Sequence, residues 1–503
     1  MKIQFKLRIL LLVVLIAAGQ TWAQTPKVKS ASANDQKIQE IISKMTLDQK
    51  VQLLIGSVRP RVVPDSIKNK PGYVADELAD PLYPAMANRV RNYLPGAAGA
   101  TSEFPELGIA SQVLSDGPAG LRIQPTRPGD EKTYYCTAFP IATVLASSWD
   151  TELVYKVGQA MGNEVKEYGS DILLAPALNI QRDPLCGRNF EYYSEDPLVA
   201  GKTAAAMVKG IQSNGVGTSI KHFAANNSET QRNTVNTIVS ERALREIYLK
   251  GFEIAVKESN PWTVMSSYNK INGTYTSESH DLLTKILRND WGFEGYVMTD
   301  WGGGSDVVAQ MNAGNDLIMP GQYKQIKDLV AAVKGGKLDE KVLDQNIARM
   351  LKIMMIAPRY NNYKYSSTPD LKAHAAVTRQ AATDGMVLLK NAQNTLPIST
   401  AVKSIAAFGN TSYDFISGGS GSGDVNEAYT ISLFDGLKKG GYTTDADLTN
   451  TYQTYIKETE AKQPKPANAM SAMMRGKQPL AEMAVSAELA KAMAEKSDMA
   501  LIT

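Results

Sequence analysis

Short apolar runs ending on a polar or charged residue alternate with longer amphipathic stretches from about residue 100 to Ile356. Gln112-Val113-Leu114-Ser115 runs into Asp116, and Ile172-Leu173-Leu174-Ala175 into the loop that carries Arg182. Gly217-Thr218-Ser219-Ile220 leads to Lys221 and His222, Thr263-Val264-Met265 to Tyr268, and Tyr296-Val297-Met298 to Asp300. Between them, Thr151 to Tyr168, Ser240 to Lys257 and Asp281 to Asp290 carry helical periodicity. Repeated strand-then-helix units predict a parallel sheet. Five such units with functional groups at the strand ends fit a (β/α) barrel better than an open sheet, with the site at the C-terminal ends of the strands.

The flanks read differently. Ser32 to Ile55 is predicted helical, with a start signal at Asn34-Asp35, and Arg59 to Ala100 is Pro- and Gly-rich and irregular. Residues 359–372 lose periodicity and read as a linker. A second α/β unit over 373–503 is expected, with strands at Val387-Leu388-Leu389 and Ile405-Ala406-Ala407-Phe408. Tyr452 to Lys496 reads as mostly helical, broken near Pro464 to Pro466. Met499 to Thr503 reads as a strand just beginning, so the chain is expected to be a truncated form of a longer protein. The organisation is thus a leader over 1–23, a barrel domain over 24–358, a linker over 359–372 and an incomplete α/β sandwich over 373–503.

Residues 1–23 have the layout of a cleaved export signal: Lys2, Lys6 and Arg8, an apolar run from Ile9 to Gly19, then Thr21-Trp22-Ala23. The run is short of the roughly 20 apolar residues that span a bilayer. A periplasmic or secreted location is expected, with no membrane span. The chain has 54 Lys and Arg against 51 Asp and Glu, and three of the cations lie in that leader. The balance that remains gives no reason to expect nucleic acid as a partner. Two cysteines, Cys136 and Cys186, leave one disulfide open but make no framework. The three histidines, His222, His280 and His374, have no metal-ligand spacing, so neither a metal nor a cofactor is expected.

The sharpest chemical signal is Met298-Thr299-Asp300-Trp301 followed by Gly302-Gly303-Gly304: a buried strand that delivers one carboxylate and turns away. Alone, such an aspartate serves equally as nucleophile, base, metal ligand or helix cap. The other strand ends narrow the choice. Ser115-Asp116-Gly117-Pro118-Ala119-Gly120-Leu121-Arg122, Arg182-Asp183-Pro184-Leu185-Cys186-Gly187-Arg188-Asn189-Phe190-Glu191, Lys221-His222-Phe223, Ser267-Tyr268-Asn269 and Gly292 to Trp301 occur in that order. In this the chain resembles glycoside hydrolase family 3, the β-glucosidase-type enzymes, from about residue 40 to its end.

The resemblance implies Asp300 as the nucleophile. It implies that Asp116, Arg122, Arg182, Lys221, His222 and Arg232 hold a sugar, with Met265, Tyr268 and Trp301 lining the pocket. It also implies a Gly/Ser loop from the second domain, here Gly418 to Asp424, with Ser422 as the sugar contact. A nucleotide-binding reading of that loop lacks the Gly-x-Gly-x-x-Gly spacing. The implied reaction is removal of single β-linked glucose units from small oligosaccharides or glucosides by double displacement, which needs one attacking carboxylate and one acid. A β-xylosidase or mixed specificity is the near alternative, and a non-catalytic sugar-binding protein the distant one. Ala224-Ala225-Asn226-Asn227 stands where the N-acetylglucosaminidase branch carries Gly-His-Gly, which disfavours that branch. In the β-glucosidase branch the acid/base glutamate follows a second-domain strand. It is therefore expected beyond Thr503, with Glu427 as the nearest alternative and weak hydrolysis of natural glycosides as the consequence.

Overall fold

The computed structural model describes residues 31–57, 93–465 and 478–503. The predicted leader and most of the irregular segment lie outside the described residues. The first unit is a curled sheet of six strands: β1 (Gly99–Ala100), β2 (Val113–Asp116), β3 (Ile172–Leu174), β4 (Gly217–Phe223), β5 (Thr263–Ser266) and β6 (Tyr296–Met298). β1 runs antiparallel to β2, and the others pair in parallel. Single bridges close the curl: Met298 to Leu317, Ile318 to Ile55, then Ser57 N–H to the Ala100 carbonyl at 2.8 Å.

Successive strand residues point to opposite faces, and the apolar runs are buried on both. Val113, Leu173, Val264 and Val297 join a cluster with the helices Thr151–Tyr168, Pro197–Gln212 and Lys250–Ser259. Their neighbours Leu114, Ile172, Leu174, Met265, Tyr296 and Met298 join a second cluster, packed with the helices Tyr323–Lys334 and Glu340–Met354. The predicted Thr151 to Tyr168 helix has those bounds. Asp150 caps it by accepting from the N–H groups of Glu152 and Leu153, and Gly169 ends it at φ 90°. The expected Ser32–Ile55 helix is two helices, Ala31–Lys44 and Leu47–Leu54. Thr46 interrupts it because its hydroxyl and Gln49 form a reciprocal capping box that starts a new helix.

Residues 359–372 are fastened to the barrel rather than free. Arg359 N–H donates to Asp171 at 3.0 Å, and the Tyr363 hydroxyl to Glu167 at 2.7 Å. Beyond them, a helix (Leu371–Gly385) leads to a three-stranded parallel sheet, with β7 (Ser404–Phe408) flanked by β8 (Thr443–Thr444) and β9 (Met499–Ile502). Val387-Leu388-Leu389 is not a strand, and Leu389 is 92% exposed. An apolar run becomes a strand only where it pairs with a sheet edge, and this run pairs with neither flanking strand of the sheet. The Tyr452–Lys496 region holds the end of the helix Ala446–Lys462 and the helix Ala487–Lys496; residues 478–486 are in neither helix nor strand, and the part of the expected helical stretch over 466–477 lies outside the described residues. Cys136 and Cys186 are both free. Among the described residues no helix is long and apolar enough to cross a membrane, and no group of His, Cys, Asp and Glu is arranged to hold a metal.

Candidate active site

Asp300 sits two residues past β6 and is 7% exposed. Its Oδ1 accepts from the Trp301 N–H at 2.7 Å, which fixes the carboxylate plane. Its Oδ2 makes no hydrogen bond of normal geometry to a described residue; His222 Nε2 approaches it at 3.6 Å, and the Tyr268 hydroxyl is close enough to interact with the carboxylate. A buried carboxylate oxygen without a partner is costly to maintain, and it is available to an incoming group.

Lys221 and His222 come from the end of β4 and are each 1% exposed. Asn179 pins the His222 backbone from both sides: its Oδ1 accepts from the His222 N–H at 2.7 Å, and its Nδ2 donates to the His222 carbonyl at 2.9 Å. Burial pushes the His222 imidazole well below its ordinary range, and the charges of Arg188, Lys221 and Arg232 push it the same way. His222 is therefore neutral at physiological pH and approaches Asp300 as a dipole, not as a cation.

Asp116 ends β2 and faces Arg122, with 3.5 Å between Oδ2 and Nη1. Burial raises its carboxyl above the ordinary range. Lys221 and Arg122 oppose the rise, and the charges of Asp300 and Glu191 add to it. Asp116, Lys221, Arg122, Asp300 and Glu191 therefore form one electrostatic cluster at the rim of the barrel. Tyr268 lies beside it. Its hydroxyl donates to the Trp301 carbonyl at 3.3 Å, and burial, then the Asp300 charge, raise its phenol. Arg232 stacks on the Tyr268 ring at 4.6 Å and bonds Glu229 at 2.7 Å. Trp301 is held by a 3.2 Å bond from its indole N–H to the Ala98 carbonyl.

Two expected residues sit elsewhere. Arg182 is exposed; its N–H donates to the Ile180 carbonyl, and its side chain is not drawn into the cluster. The turn that follows, with Cys186 N–H bonded to Asp183 and Asn189 N–H to Cys186, brings in Arg188 instead. Arg188 is ion-paired to buried Glu191, and its charge acts on His222, Asp300 and Tyr268. Both arginines lie in the same motif, so the motif was legible while the inward-facing arginine was not. Met265 is a core residue 2% exposed, in β5 and in register with Met298 of β6. Ser422 lies half-buried in the Gly/Ser loop. Glu427 is engaged by the Ser417 hydroxyl at 2.5 Å and the Thr430 hydroxyl at 3.2 Å, beside a cavity of about 570 Å³ lined also by Phe190, Tyr413 and Phe415.

The cluster offers a free carboxylate oxygen, a second carboxylate with acceptor capacity, and donors from Lys221, Arg122 and Arg188. That set suits a small ring bearing several hydroxyls and one electrophilic carbon.

Comparison with known proteins points the same way. Residues 129–353 match the glycosyl hydrolase family 3 N-terminal domain, and residues 386–503 match its C-terminal domain. The chain is 46% identical over 350 residues to thermostable β-glucosidase B of Acetivibrio thermocellus, covering 68% of this chain and 45% of that protein. It is 41% identical over 353 residues to an exo-α-(1→6)-L-arabinopyranosidase of Bifidobacterium longum, covering 67% of this chain and 46% of that protein. Its fold superposes on β-glucosidase 3B of Thermotoga neapolitana, solved with glucose and with glycerol, at a TM-score of 0.82 and 48% identity. That match covers 93% of this chain and 62% of the other. The chain thus spans about half the length of these curated relatives. On the two domain matches and this fold, the chain belongs to glycosyl hydrolase family 3.

Proposed function

We propose that the barrel-rim cluster binds the terminal glucose of a β-linked glucoside or oligosaccharide, and that Asp300 attacks its anomeric carbon. The enzyme would be an exo-acting retaining β-glucosidase. The observation that carries this reading is the buried, unpartnered Oδ2 of Asp300 within the cluster of Asp116, Arg122, Arg188, Lys221 and His222. The names of the relatives and the glucose-bound neighbour support it.

In this reading Oδ2 forms the new bond to the anomeric carbon while Oδ1 stays held by the Trp301 N–H. The bond to the leaving oxygen breaks; that oxygen takes a proton from a general acid in a natural glycoside, or departs as the phenolate from an activated aryl glycoside, and water later releases the sugar with its configuration retained. Asp116 accepts from the ring hydroxyls, and Lys221 and Arg188 donate to them. Each charge-assisted hydrogen bond contributes about 1.5–3 kcal/mol. Neutral His222 does not compete with the sugar for the charge on Asp300. Export through residues 1–23 belongs to the same proposal.

An activated aryl 2-deoxy-2-fluoro-β-glucoside tests the chemistry, because its leaving group needs little protonation. The expected result is a burst of one phenol per chain, absent in Asp300→Asn. Steady release by Asp300→Asn at the wild-type rate would remove Asp300 from this role. The arabinopyranosidase relative favours one second reading, a pentopyranoside substrate. Competition among aryl β-glucoside, β-xyloside and α-L-arabinopyranoside decides between them.

A further inference from the structure

The Gly/Ser segment Ser417 to Glu427 comes from the second domain but is fastened to the first. Four of the six residues from Gly418 to Gly423 are glycine, so the segment has much conformational freedom to lose. Its internal bonds are few: Ser417 to Glu427 at its base, and two turn bonds, from Gly423 N–H to the Ser420 carbonyl at 3.1 Å and from Asp424 N–H to the Gly421 carbonyl at 3.4 Å.

The barrel supplies the rest. The Phe190 ring lies against Gly419 and Gly423, so close that a Cβ at either would come within 2.3 and 2.8 Å of it. Val425 is buried in the barrel's own cluster and lies beside Gly120. Asn426 then makes a two-sided match to the segment 134–136. Its carbonyl accepts from the Cys136 N–H at 2.9 Å, and its Nδ2 donates to the Tyr134 carbonyl at 2.7 Å. That segment is itself rigidly held. Thr137 N–H donates to Glu164 at 3.0 Å, Glu164 pairs with His374 at 2.8 Å, and the Arg127 guanidinium stacks on Tyr134 at 3.8 Å.

Any residue at 426 would supply the backbone acceptor, but only a side-chain donor of this length supplies the second bond. Two residues before this anchor, Asp424 lies within electrostatic reach of Arg122, the partner of Asp116. The anchor therefore decides how the loop meets the rim.

We propose that Asn426 is a positioning residue: by bonding the Tyr134 carbonyl it locks the Gly/Ser loop onto the barrel and so sets the second-domain wall of the sugar pocket. The proposal rests on the reading of the rim cluster as a sugar site.

The test uses the full chain with Asn426→Ala and Asn426→Asp. D-glucose affinity is measured by calorimetry, the limiting trapping rate with the fluorinated aryl glucoside at saturation, and thermal melting alongside. Loss of one partly buried hydrogen bond that biases the loop should weaken glucose binding about five- to tenfold. The limiting rate and the melting temperature should hold. Asn426→Asp should be at least as damaging as the alanine variant, because it turns an acceptor toward a carbonyl. Gly419→Ala is an independent handle, since its Cβ must lift the loop off Phe190; it should weaken binding with the Asn426 bond intact. Unchanged affinity in both Asn426 variants overturns the proposal. So does a parallel fall in affinity, limiting rate and melting temperature, which would make Asn426 a folding residue only. A wild-type chain that neither binds glucose nor is trapped sinks the underlying reading instead, and the proposal with it.

Discussion

The two halves of the molecule, among the described residues, differ in how much apolar side chain they bury. Barrel strands are buried on both faces between two extensive clusters of apolar side chains. Among the described residues, the second domain's sheet is lined by clusters of four and three buried residues, and Met386 to Leu389 and Ile502 stand exposed. Asp300, Lys221, His222 and Asp116 all stand at strand ends of the barrel. Among the described residues, the second domain meets the rim through the Gly/Ser loop, which is tied down by barrel residues. Side chains at the ends of packed strands are positioned by the strands themselves.

The comparison breaks first at Asp300. Asp300→Asn should lower aryl glucoside turnover by at least about 10³-fold without lowering the melting temperature, because only the attacking oxygen is lost. Retained turnover would detach the chemistry from the barrel. The packing side is tested next. Leu174→Ala, in a fully buried strand, should cost about 2–5 kcal/mol in denaturant unfolding. Leu389→Ser, on the exposed run, should stay within about 0.5 kcal/mol. Similar costs at both sites would erase the contrast.

Arginine choice gives the third prediction. Arg188→Met should weaken glucose binding by roughly ten- to 150-fold, the equivalent of one charge-assisted bond. Arg182→Met should leave it unchanged. The reverse ranking would mean that the loop turns the other way.

The smallest effect expected is in pH. Burial holds the Asp116 carboxyl above its ordinary value, so ionised Asp116 is less favourable folded than unfolded. A group raised in this way contributes stability at low pH, lost as pH rises through its folded value. Asp116→Asn should therefore melt no lower than wild type at neutral pH, and slightly higher, while losing glucose affinity. His222 works in the opposite sense. Its depressed value gives stability above about pH 6.5, the ordinary imidazole value, that is lost as pH falls. Glucose affinity should fall on acidification as Asp116 takes up its proton, at a higher pH than an ordinary carboxylate would set.

Much of this was legible in the chain itself. The strand ends named the polar groups that the structure gathers at the rim, Asp116, Lys221, His222 and Asp300. The barrel helix 151–168 was legible because its cap and its terminal glycine are local signals. Three features were not. Which arginine of the Arg182–Glu191 motif faces inward depends on a turn closed by backbone bonds between Asp183, Cys186 and Asn189. Val387 to Leu389 has the composition of a strand, but pairing depends on which sheet edges are free. Arg188 and Glu191 escaped notice because a buried ion pair looks, in sequence, like two surface charges three apart.

The most direct test of the central claim is to locate the covalent sugar. After saturation with the fluorinated glucoside, the chain is digested and the labelled peptide is sequenced by mass spectrometry. The account predicts a single label on Asp300. A label on Asp116 or Glu191, or none while glucose still binds, would contradict it.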